Sequence, residues 1–214
     1  MQEPFVHLVY SRNVIEFVTV GREFCQFLEH TGEYEKRKFI DVSLKMLPLL
    51  YLKAVSLPKA ELELDDATDR FVTEMDYMAI KIAIESKLGP HNDYLEVFTP
   101  DIDRSETAVA ANIAEDLADI YQDIKDFLGN YRTGATELMN DALAELVSNF
   151  EIFWGQKTVN CLRALHNVFF GGDDLSEEGP KHDIDSEPGR NADDWIFSRR
   201  QREWQSDEDN SLLL

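Results

Sequence analysis

Between Ile113 and Tyr131 the large apolar residues stand at Ile113, Leu117, Ile120, Ile124, Phe127 and Tyr131, stepping by four, three, four, three and four. An α-helix of about 3.6 residues per turn brings those positions onto one face, whereas a strand would split them between two. Gly134 stands just past the run, where helices commonly stop. One apolar seam cannot bury itself, so this helix requires the apolar faces of others around it.

The rest of the chain supplies them. From Thr136 to Phe170 the alternation returns through Met139, Leu143, Leu146, Phe150 and Phe153, and continues one residue late through Trp154, Thr158, Cys161, Leu165 and Val168. That pattern predicts one long helix whose offset near Gly155 comes from a slight bend or from drift against a heptad repeat. Upstream, a first helix follows Ser11 and runs to about His30, with Val14, Phe17, Phe24 and Leu28 near one face. A second covers about Glu35 to Leu57. Its segment IDVSLKMLPLLYLKAVSL is apolar nearly all round, which predicts a central helix, kinked at Pro48. AELELDDATDRF reads as a polar connection, and a third helix starts after Thr73 with Asp76 as its capping-box partner. Gly89-Pro90 closes that helix, and a loop is expected from His91 to about Asp103, with no persistent period-two strand anywhere. The fold class is therefore all-α, a bundle of five main helices.

Composition changes after Gly171-Gly172. Residues 1–172 read as the helical bundle, and 173–214 as an acidic linker followed by a tail containing Trp195, Ile196, Phe197 and Trp204 with Arg199, Arg200 and Arg202. The formal net charge is −21, of which −8 falls in residues 173–214, so the bundle itself is acidic. Such a field repels phosphate backbones and anionic membrane surfaces and disfavours nucleic-acid binding, although it suits a nucleic-acid mimic. No apolar run is long enough to span a membrane, and the N-terminal segment lacks the pattern of a secretory signal. Cys25 and Cys161, isolated in apolar helical contexts, read as buried thiols of a reducing compartment, and the expected location is cytoplasmic.

Helix four also carries Glu115, Asp116, Asp119, Asp123 and Asp126. At about 100° per residue, Asp116 and Asp123 border the apolar seam, and Asp119 and Asp126 lie further out on the same side. Asp116, Asp119 and Asp123 are thus candidate Mg²⁺ ligands, and the string EDLAD is similar to the second acidic motif of all-α nucleoside triphosphate pyrophosphohydrolases. The E-x-x-E motif that those enzymes carry on a preceding helix is missing, and a solvated helix flank explains the same residues. Lys157, Asn160, Arg163, His166 and Asn167 lie on helix five, where pairing with helix-four carboxylates is favoured over an anion site. His166 lacks the Glu-x-x-His context of di-iron bundles, and there is no GxGxxG and no P-loop. No cofactor is implied.

The segments VIEFVTVGREFCQFLE, LPLLYLKAVSLP, NDYLEVF, IAEDLADIYQDIKDF and WGQKTVNCLRALHN, in that order, resemble the bacterial domain-of-unknown-function 5063 family, common in Bacteroidetes, over about residues 7–171. The resemblance implies an all-helical cytoplasmic domain and transfers no activity and no site residue. The leading functional reading is a non-catalytic interaction or regulatory module, with Trp195, Ile196, Arg199 and Trp204 as the partner-binding candidates. The alternatives are a Mg²⁺-dependent enzyme acting on a nucleotide or another phosphorylated small molecule, and an acidic nucleic-acid mimic. Partner and oligomeric state are not legible in the residues.

Overall fold

The regular seam of helix four becomes the axis of the structure. In the computed structural model, which describes residues 7–64, 68–96, 109–172 and 174–176, α1 spans Arg12–Glu29, α2 Lys36–Val55, α3 Glu74–Leu88 and α4 Ile113–Tyr131. They are followed by α5, Thr136–Asn149, and α6, Gly155–Phe170. Helix α4 packs against α1, α3, α5 and α6, and Ile113, Leu117, Ile120, Ile124 and Phe127 are all buried. Among the described residues the fold is all-α apart from a two-stranded antiparallel hairpin, β1 (Asp93–Glu96) and β2 (Val109–Asn112), with Tyr94 opposite Ala111. All the described residues belong to one compact unit. Cys25 and Cys161 are free thiols buried within it.

Local chemistry sets most of the ends. The Thr73 side chain accepts the Asp76 N–H while Asp76 accepts the Thr73 N–H, so the capping box opening α3 is complete. Gly89, at φ 57°, closes the helix in a conformation that favours glycine. Asn112 caps α4 by accepting the Glu115 N–H at 3.0 Å. Helix α1 starts after Ser11 as expected, yet the Ser11 hydroxyl makes no capping bond.

Three expectations are corrected. The one-residue offset late in the chain is neither a bend nor a heptad drift: Phe150–Trp154 forms a π-helical turn joining α5 to α6. Such a turn takes up one extra residue and rotates everything after it, which brings Trp154, Cys161 and Leu165 back onto the core. Helix α2 is not central. It buries Phe39, Ile40, Leu47, Leu50 and Ala54 on one side and leaves Leu49, Leu52 and Val55 exposed, so its uniformly apolar sequence makes a lateral helix. Pro48, where a kink is expected, lies inside the Lys36–Val55 span. The hairpin replaces the start of the expected loop, because four-residue strands are too short to show a period of two.

Candidate functional site

The acidic edge of α4 is held almost entirely by partners from the rest of the bundle. Asp116, buried, accepts hydrogen bonds from Lys157 Nζ at 2.7 Å and from the Tyr94 hydroxyl. Asp119, one turn on, takes the same ammonium at 2.8 Å and the Tyr77 hydroxyl at 2.8 Å. Burial alone would lower the Lys157 pKa; the hydrogen bonds and charges of Asp116 and Asp119 outweigh it and hold the ammonium above its usual value. Glu115, nearer the surface, pairs with Lys81 at 2.8 Å. The expected pairing of helix five with helix four is therefore present at Lys157. Arg163 instead donates to the Leu95 carbonyl at 2.9 Å, which ties α6 to the hairpin.

Further along α4 the partners are backbone groups. Asp126 Oδ1 accepts the N–H groups of Phe71 and Val72 at 2.7 and 2.9 Å. Asn130 closes a reciprocal pair with Asp69, accepting its N–H at 3.2 Å and donating to its carbonyl at 2.9 Å. On α5, Asp141 receives the N–H groups of Glu63 and Leu64 at 2.7 and 2.9 Å, and Asn140 donates to the Glu61 carbonyl. Arg70 pairs with Glu145, and Thr68 donates to Glu145 at 2.5 Å. The described residues of the connection before α3 have no secondary structure to satisfy their amides, and these side chains replace the missing ladder. The close approach also explains Gly129, where an added Cβ would run into the Phe71 ring.

Asp126 corrects the helical-wheel reading. Placed on the outer flank by its angle, it is almost fully buried, because the connection folds over it. Asn130, Asn140 and Asp141 do the same work, although nothing in their own spacing singles them out. The only signal for these three is indirect, a polar connection with many backbone donors and no pattern of its own.

Asp123 differs from its neighbours. It accepts one hydrogen bond, from Asn149 Nδ2 at 2.7 Å, and no cation pairs with it among the described residues. Burial pushes its carboxyl up to about 6, against the opposing pull of the Asn149 hydrogen bond and the Arg70 charge. The structure thus brings Asp116 and Asp119 together on Lys157 and sets Asp123 apart from them. Among the described residues no three His, Cys, Asp or Glu side chains converge as a metal site. Trp195, Ile196, Arg199 and Trp204 lie outside the described residues.

The model of the DUF5063 family, a domain of unknown function, matches residues 8–170. The chain belongs to that family. Protein BF1032 from Bacteroides fragilis, known from a crystal structure, is similar to this DUF5063 chain at 46% identity and a TM-score of 0.71. The similarity covers 78% of this chain and 98% of that one. No curated protein matches. Among the described residues of this DUF5063 member, no helix is long and apolar enough to cross a membrane.

Proposed function

We propose that this chain is a non-catalytic cytoplasmic interaction module that engages a protein partner through the outer face of α3. The observation that carries the reading is the division of that helix. Ile80, Ile84 and Leu88 face the core, while Met75, Met78 and Ile82 form an apolar stripe on the opposite side, with Met75 80% exposed. Exposed methionines suit a binding surface that adapts to its partner. Trp195, Ile196, Arg199 and Trp204 add a second contact in this reading, since Trp and Arg dominate binding hot spots.

The Mg²⁺-dependent enzyme is the weaker reading, because Asp116 and Asp119 already share Lys157 and a metal would have to displace that ammonium. The nucleic-acid mimic rests on net charge alone.

Photo-crosslinking in the native cells, with the reactive group at position 78, tests the proposal. A discrete protein adduct that disappears in the Ile82→Asp variant is the expected result. Absence of any adduct, or Mg²⁺-dependent hydrolysis of a nucleoside triphosphate that is lost in Asp119→Asn, overturns it.

A further inference from the structure

Beside the π-helical turn lies a shallow depression of about 620 Å³. Asp119, Gln122 and Asp123 line it from α4, Arg70 from the connection before α3, Asn149 from α5, and Ile152 and Phe153 from the turn itself. The apolar part of its wall is open: Ile152 is 78% exposed and Phe153 44%, with the Lys157 ammonium 5.0 Å from the Phe153 ring centroid. Arg70, Asp123 and Asn149 also line an adjoining cavity of about 10 Å³, room for one water. There Asp126 Oδ2, buried, has no hydrogen-bond partner among the described residues and lies 3.5 Å from Arg70 Nη1.

The charges around this depression do not balance. Lys157 is shared by Asp116 and Asp119, and Arg70 is shared by Asp126 and Glu145. Among the described residues Asp123 is the carboxylate left over, half-buried next to an apolar wall. We propose that the depression binds one organic cation, an alkylammonium or guanidinium group, with its charge on Asp123 and its hydrocarbon against Ile152 and Phe153. Burial raises the Asp123 pKa although the Arg70 charge pulls it down, and a second cation seated there lowers it further. The acidity of the whole chain steers such a ligand inward. This site is independent of the α3 face. The same chemistry is offered by a free amine and by a basic side chain on a polypeptide.

Calorimetric titration of the full chain with benzylamine, with N-acetylarginine amide and with neutral benzyl alcohol tests the proposal. At least one cation is expected to bind saturably with a dissociation constant of about 1 mM or below, and benzyl alcohol is not. Binding of benzylamine alone assigns the site to free amines; binding of the blocked arginine extends it to basic side chains. Asp123→Asn, which keeps an acceptor for Asn149, should weaken the cation about tenfold or more, and Ile152→Ser should weaken it less. Affinity should also fall about tenfold from about pH 7 to about pH 5 as Asp123 takes up its proton, with Arg70, Asp119, Asp126, Glu145 and Lys157 the other charges facing it. No saturable binding of either cation, or equal affinity in wild type and Asp123→Asn, overturns the proposal, as does benzyl alcohol binding as tightly as benzylamine.

Discussion

The ammonium of Lys157 on α6 lies 2.7 Å from Asp116 Oδ1 on α4, and this pair ties the two helices together at a point where Asp116 is buried. Removing the cation strands a buried charge, which costs more than the pair itself contributes. Lys157→Met should therefore destabilise the fold by about 3 to 5 kcal/mol, measured by denaturant unfolding. Adding Asp116→Asn to that variant should recover part of the loss, since it removes the stranded charge. No recovery would mean that Lys157 acts through packing alone.

Asp126 performs the same service for backbone groups. Asp126→Ala leaves the N–H groups of Phe71 and Val72 without their acceptor and should cost about 1 to 3 kcal/mol. Hydrogen exchange at these two amides should accelerate more than exchange in α4. Unchanged protection would contradict the clamp.

Asp123 gives a pH dependence of defined sign. Its folded pKa, about 6, lies above the ordinary value of 3.8, so between those values the folded chain holds more proton than the unfolded one. Its contribution to stability is consequently greatest at low pH, falls as pH rises from about 4 to 6, and stays low above that range. Asp123→Asn should stabilise the fold at about pH 7 by about 1 kcal/mol after allowance for solvent screening, with the difference vanishing near about pH 4. Thermal unfolding of both proteins across that range checks it.

Ile120 and Ile124, fully buried at the middle of α4, set the scale for the core. Truncating either to Ala should cost about 2 to 5 kcal/mol. A loss below about 0.5 kcal/mol would mean that α4 packs by another face.

How much of this was legible in the residues depended on whether one element alone determined the outcome. The α4 seam, the Thr73–Asp76 capping box and the Gly89 stop are local, and each stands where the sequence places it. The side of α2 that faces the core is not local: with apolar residues all round, only its neighbours decide that Leu52 is exposed and Leu50 is buried. Asp126 follows the same logic, because the Phe71–Val72 backbone that covers it arrives from a distant, patternless stretch. The offset after Phe153 was visible as a phase change, but phase alone does not separate a π turn from a gentle bend.

We propose that the α4 carboxylates hold the bundle together and do not assemble a catalytic metal centre. Calorimetric titration of the full chain with Mg²⁺ and Mn²⁺ tests it most directly. No binding in the range of about 1 to 100 μM is expected, in the wild type or in Asp119→Asn. Micromolar binding abolished by Asp119→Asn would contradict it, because the metal would then be taking the place that Lys157 holds.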